Sequence, residues 1–215
     1  MPRYSVSKTF MWKGRISNKD AAVMRMFGLT ADRLTKTGVT VDCQLKINEG
    51  DVVYITGPSG AGKSLLLWEL ERSIPAPDKV NLGEIKLPAD KSVIDCVDGE
   101  LLQALKVLST AGLNDVFCVL NRPINLSDGQ KYRFRLAMAM ASGKKNIFAD
   151  EFCSHLDRIT AAAISYNIRR HAKRTGVTFI LAGSHEDMLV DLAPDVLVVK
   201  DLSGTTQVIY KSGKI

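Results

Sequence analysis

The sequence predicts an α/β fold with a mostly parallel sheet, and three observations carry that expectation. Short continuous apolar runs recur along the chain, as strands covered on both faces require. Segments of helical periodicity lie between them. A glycine-rich stretch, residues 57–64, joins an apolar run at 52–55 directly to a helix-forming run.

In chain order, residues 1–30 read as an N-terminal extension with a short helix over 18–29, ahead of a single domain over 31–215. Val39, Val41, Cys43, Leu45 and Ile47 alternate with Thr40, Asp42, Gln44 and Lys46, the period of a strand with one buried face. Asn48, Glu49 and Gly50 then turn the chain, so this strand and the run at 52–55 are expected as antiparallel neighbours at the edge of the core. The later runs at 93–97, 146–149, 177–181 and 196–199 suit parallel strands. Helices are expected after residue 64 and over 100–113, 128–142 and 160–174, the last ended by Gly176.

Composition sets the class. With 215 residues, 46% hydrophobic and 24% charged, the chain can bury a core as one domain. No apolar stretch is long enough for a bilayer and the first residues lack a secretory apolar segment, so a cytoplasmic protein without membrane insertion is expected. Cys43, Cys96, Cys118 and Cys153 form no C-x-x-C pair and read as core thiols of a reducing compartment. The net charge of +6 admits a nucleic acid partner. Basic residues gather at Arg3, Lys8, Lys13 and Arg15 and again at Arg169, Arg170, Lys173 and Arg174, the second group reading as a solvated helix face.

Three runs carry chemistry. The first is Gly57, Pro58, Ser59, Gly60, Ala61, Gly62, Lys63, Ser64, followed by Leu65, the pattern G-x-x-x-x-G-K-[ST] between a strand and a helix. Small residues let successive backbone N–H groups turn in around phosphates, Lys63 reaches the β and γ oxygens, and the Ser64 hydroxyl is placed for Mg²⁺. The second is Leu126, Ser127, Asp128, Gly129, Gln130. Ser127 and Gln130 have capping-box spacing, which leaves a helix N-terminus open to an anion. The third is the run 146–149 ending in Asp150 and Glu151. One carboxylate suits the water shell of Mg²⁺ and the other suits polarising an attacking water. Ser154, His155, Leu156 and Asp157 follow, and His185 comes just after the strand at 177–181, at the edge where open α/β sheets bind ligands.

The order GPSGAGKS, LSDGQ, FADE, SHLD, His resembles the ATP-binding cassette ATPases over about residues 39–200. The resemblance implies a P-loop NTPase core with an antiparallel β edge subdomain and a shortened helical subdomain, using ATP and Mg²⁺. It implies a nucleotide-dependent head-to-tail homodimer, in which Ser127 and Gly129 of one copy close over the γ-phosphate held at Lys63 of the other. Glu151 would be the general base, His185 the γ-phosphate sensor, Ser64 and Asp150 the metal contacts and Asp157 part of the dimer link. The wording LSDGQKYRFRLA, ADEFCSHLDRITA and PDVLVVKD is closer to cassette ATPases of prokaryotes and their phages that are joined to a predicted acetyltransferase domain.

Three departures bear on what the ATPase drives. Asp128 replaces the glycine commonest in the signature. No glutamine follows the expected strand at 93–97; Asp98 stands roughly in its place, with Gln103 nearby. The stretch from there to LSDGQ is short. These features lead to a soluble ATPase whose ATP-driven closure switches an unidentified macromolecular partner. A transporter's nucleotide-binding subunit and a nucleic-acid-linked ATPase are the alternatives. Phe27 is the candidate aromatic for adenine stacking.

Overall fold

The computed structural model describes residues 3–36 and 38–211; the side chains of residues 35–40, with Val39 and Thr40 of the expected alternation among them, lie outside the described residues. The first half of the chain forms β1 (Arg3–Met11), α1 (Asn18–Met26), α2 (Ala31–Lys36), β2 (Gly38–Lys46), β3 (Val52–Thr56), α3 (Lys63–Ser73) and β4 (Lys79–Asn81). The second half forms α4 (Leu101–Thr110), α5 (Val116–Leu120), α6 (Asp128–Ala141), β5 (Asn146–Ala149), α7 (Arg158–Thr175), β6 (Thr178–Ala182), α8 (Leu189–Leu192), β7 (Val196–Lys200) and β8 (Thr206–Tyr210).

A six-stranded sheet runs in the order β4-β5-β6-β3-β7-β8, parallel from β4 to β7 and closed at one edge by antiparallel β8. All five residues of β3 and all five of β6 are buried, because helices or strands cover both faces. Alternation along each strand sorts the core into two layers. Val52, Tyr54, Phe179 and Leu181 pack with α4, α6 and α7. Val53, Ile55, Ile180 and Ala182 pack with α3 and the β1–β2 ribbon.

Several helices begin and end where their caps dictate. In α1, Ser17 and Asp20 form a reciprocal capping box, and the expected short helix at 18–29 is thus realised over Asn18–Met26. In α7, Asp157 accepts from the Thr160 N–H at 2.9 Å, and Gly176 ends the helix in a left-handed conformation, φ 76°.

Three expectations are corrected. β2 does not pair with β3; its partner is β1, antiparallel over its whole length, and β3 lies between β6 and β7. The N-terminal segment therefore supplies a strand of the antiparallel ribbon. Residues 93–97 are not a strand. Ile94–Cys96 form a 3₁₀ turn that buries Val93 and Val97, one helical turn apart, and leaves Asp95 outside. The strand beside β5 is instead β4, which carries no continuous apolar run, so Asp98 and Gln103 do not follow a strand of the sheet.

Candidate active site

The parallel strands deliver their carboxyl ends to one edge, where the loops after β3, β5 and β6 converge. They enclose a cavity of about 480 Å³ lined by, among others, Ser59, Gly60, Gly62, Lys63, Ser64, Leu65, Asp150, Glu151 and His185. The structure thus brings together the phosphate loop, the carboxylate pair and the histidine that sequence spacing singled out.

The loop's shape depends on glycine. Gly57 has φ 142°, and a Cβ there would lie 2.1 Å from the carbonyl oxygen of Lys200, so only a residue without a side chain lets β3 turn against the end of β7. Helix α3 opens on Gly62, φ 83°, with no side-chain cap. Its first N–H groups are left for an anion. The Lys63 ammonium donates to the carbonyls of Gly57 at 2.8 Å and Pro58 at 2.9 Å, which fixes a positive charge over the loop.

Beyond β5 the chain is strained and tethered. Glu151 has φ 48° and Cys153 φ 58°, left-handed conformations that side chains other than glycine rarely take. The Asp150 carboxylate accepts from the Glu151 N–H at 3.0 Å. The Phe152 N–H donates to the Ala182 carbonyl at 2.8 Å and the Cys153 N–H to the Tyr132 hydroxyl at 3.2 Å. These bonds hold the two carboxylates at the cavity. Burial pushes the Cys153 thiol up to about 12, so it is an inert core group.

Asp150 and Glu151 also border an adjoining groove of about 410 Å³, shared with Leu82, Gly83, Asp128 and His155. The residues at the carboxylates' side are therefore those just after β4. Asn81 is locked there, donating to Glu71 at 2.7 Å and accepting from the Gly83 N–H at 3.0 Å. Asp98 and Gln103 line a different cavity with His171 and contribute nothing to this edge. Phe27 is 74% exposed in the N-terminal segment and lines none of the cavities described.

The signature forms the capping box its spacing predicts: the Gln130 N–H donates to Ser127 at 3.3 Å and the Ser127 N–H to the Gln130 side chain at 2.9 Å. Leu126 is buried, and a Cβ on Gly129 would meet Leu156 at 3.2 Å. Leu126, Ser127, Gly129, Gln130 and Asp157 do not line the phosphate cavity of their own chain. The Asp157 carboxyl is held below the usual carboxylate range by hydrogen bonds from Thr160.

Sequence reading missed Tyr54. Its hydroxyl, on β3, donates to the His185 carbonyl at 2.8 Å, and its ring meets Phe152 edge-on at 6.5 Å. The only signal was a polar-tipped aromatic inside an otherwise aliphatic strand.

The donor set fits Mg²⁺. Ser64 and Asp150 offer oxygen ligands at one cavity, and no cluster of three or more His, Cys, Asp or Glu among the described residues forms an all-protein cage. Mg²⁺ is characteristically held by one or two carboxylates together with substrate phosphates.

No protein-family model matches the chain. An uncharacterised ABC transporter ATP-binding protein of Methanocaldococcus jannaschii, MJ1508, is 29% identical, the match covering 77% of this chain and 89% of that protein. The methionine import ATP-binding protein MetN of Streptococcus agalactiae is 26% identical over 74% of this chain and 56% of its own length. MetN 2 of Salmonella choleraesuis is 28% identical over 79% and 60%. The chain thus spans less than two thirds of these two importer proteins. Among solved structures, the MJ0796 cassette dimer in a post-hydrolysis state with ADP and Pi superposes with a TM-score of 0.69 at 17% identity, covering 99% of this chain and 100% of that one. A second dimeric MJ0796 structure gives 0.66 at 20% identity, covering 83% and 94%. At those identities the likeness speaks for the fold. Fold, ordered motifs, converging site residues and relatives agree on an ATPase, and the chain is similar to the ATP-binding cassette ATPases.

Proposed function

We propose that this ATPase is the nucleotide-binding subunit of a membrane transporter, working as a head-to-tail homodimer that closes around ATP. The observation that carries the dimer is the division of the anion-binding parts. Lys63, Ser64, Asp150, Glu151 and His185 share one cavity, whereas Ser127 and Gly129 lie outside it. A second copy would bring its α6 N-terminus to the γ-phosphate, where helix dipole and N–H groups favour the charge. The solved MJ0796 cassettes are dimeric.

Within the closed site, Lys63 and the loop N–H groups bind and orient the phosphates. The Glu151 carboxylate takes the proton of the water that attacks the γ-phosphorus as the bond to the ADP oxygen breaks. His185 donates to the γ-phosphate oxygens. Mg²⁺, held by Ser64 and Asp150, would neutralise charge on the β and γ oxygens. Loss of the γ-phosphate removes the contact shared by two copies and releases them.

The transporter assignment rests on the importer names of the relatives and on an apolar outer surface of the helical region. Leu101, Leu102, Val116, Phe117, Leu120 and Ile124 are all exposed there, Phe117 by 81%. That many large apolar groups on one small subdomain suit a protein partner. No helix among the described residues is long and apolar enough to cross a membrane, and on this reading the cassette works at the cytoplasmic face of the transporter.

One observation favours a second reading, a switch on a partner outside the membrane. Between β4 and α6 the chain has room for only α4 and α5 as regular helices. Affinity purification of Glu151→Gln protein from detergent-solubilised native cells, with Mg²⁺-ATP present, separates the two. Recovery with a polytopic membrane protein, lost in Phe117→Ser, supports the transporter subunit. Recovery with a non-membrane partner alone overturns it.

A further inference from the structure

At the edge of the sheet opposite the phosphate loop, where β5 and β6 begin rather than end, a second groove of about 530 Å³ lies between α4 and the last turns of α6 and α7. His171, on α7, borders this groove and is only 7% exposed. Both of its ring nitrogens are buried with no hydrogen-bond partner among the described residues. Its ring packs edge-on to Phe179 at 6.1 Å, which fixes the imidazole without satisfying it. Burial, with Arg174 adding to it, lowers the pKa of His171. The ring is therefore neutral at physiological pH, with one donor and one acceptor nitrogen.

The mouth of the groove carries both signs of charge. Lys106 and Arg174 supply cations and Asp98 a carboxylate, and no ion pair or hydrogen bond engages these three head groups among the described residues. Met140, Val97 and Ala104 form a buried apolar floor. A buried imidazole with an unused donor and an unused acceptor needs a complement offering both. A simple anion would answer the cations and the ring N–H. It would leave the acceptor nitrogen and Asp98 unanswered.

We propose that this groove binds a small organic acid bearing a hydroxyl or amino group beside its carboxylate and a short apolar tail. Arg174 and Lys106 take the carboxylate. The neighbouring group donates to the acceptor nitrogen of His171; an ammonium has further N–H bonds for Asp98, whereas a hydroxyl has its one hydrogen for His171 alone, and the tail lies on Met140. The site is remote from the ATP cavity and does not depend on the transporter reading.

The chain has three histidines, so ¹⁵N-histidine labelling gives a resolved test in the intact protein. The probes are L-norleucine and α-hydroxycaproate, which separate the amino from the hydroxyl class, and caproate, which lacks the donor. The ring resonances of His171 are expected to move saturably with one of the first two, at a dissociation constant of about 1 mM or tighter. Caproate should bind at least about 10-fold more weakly, and so should the favoured probe to Arg174→Gln protein. No movement of His171 with any probe overturns the proposal and leaves a water-filled groove, as does an equal response to caproate or an undiminished response in Arg174→Gln. Mg²⁺-ATP added to the same sample reports on the nucleotide site through His185, so failure of the groove and failure of the ATP site are told apart.

Discussion

The Tyr54 hydroxyl donates to the backbone carbonyl of His185 at 2.8 Å, tying the strand that ends in the phosphate loop to the loop that carries the histidine. A Cβ on Gly183 would come within 2.6 Å of that hydroxyl, so the intervening loop is fitted closely around the bond. Tyr54→Phe keeps the ring and its contact with Phe152 while removing the donor. The stability loss should be about 1 kcal/mol. The kcat for ATP hydrolysis should fall about 10-fold with KM for ATP within about twofold, because binding groups stay and only the position of His185 relaxes. An unchanged kcat would show that the carbonyl does not set the histidine's place.

The site was more legible than the sheet around it, and the reason is locality. A phosphate loop and a capping box are written in neighbouring residues, so GPSGAGKS and LSDGQ could be read directly. β4 could not. Its sequence is Lys79, Val80, Asn81, and it is a strand because β5 offers it a parallel edge, a contact 67 residues away from Lys79 at Asn146. The segment at 93–97 has the composition of a strand yet buries Val93 and Val97 on one side of a helical turn. The β1–β2 pairing was hidden for a similar reason: β1 buries only Val6, so alternation along it is nearly silent.

Glu151, the proposed general base, sits under backbone strain, φ 48°. Glu151→Gln should lower kcat by about 10² to 10⁴ while retaining ATP binding, since only proton transfer is lost. Glu151→Asn should be equally inactive yet about 1 kcal/mol more stable, because asparagine tolerates the left-handed region better than glutamate. Chemical denaturation of the two variants side by side checks the second expectation. Equal stability would mean that the loop relaxes around either residue.

Gly57→Ala places a methyl group 2.1 Å from the Lys200 carbonyl oxygen at a φ of 142°. Neither backbone can yield without moving β3 or β7 at the sheet's centre, so a loss of about 3 kcal/mol or more is expected. Nucleotide affinity should fall with it. Thermal melts with and without Mg²⁺-ATP measure both effects. A variant melting with the parent would show that the loop has room to shift.

Asp195 is 3% exposed at the entrance to β7. It accepts from the Val52 N–H at 3.0 Å and from the Lys173 ammonium at 2.8 and 2.9 Å, so a single carboxylate joins β3, β7 and the end of α7. Asp195→Ala strands a buried N–H and removes the ion pair, which should cost about 3 kcal/mol. For a chain of this size that lowers Tm by about 6–12 °C. Asp195→Asn, which can still accept from Val52, should lose clearly less, and equal losses would place the whole effect in the ion pair.

His171 sets an acid limit on stability. Burial, then Arg174, holds its imidazole below the usual 6.5. Asp98 before α4, Lys106 on α4 and Arg174 on α7 are the charged groups around its groove. In the window from 6.5 down to the folded value, the unfolded chain binds the proton and the folded protein does not. Stability therefore falls as pH drops through that window and is insensitive to this group above it. His171→Leu fills the same apolar position with nothing to protonate. Urea denaturation at pH 7.5 and pH 5.5 should show a larger loss for the parent protein than for the variant. Equal losses in the two proteins would mean that the imidazole takes up its proton in the fold as easily as in the unfolded chain.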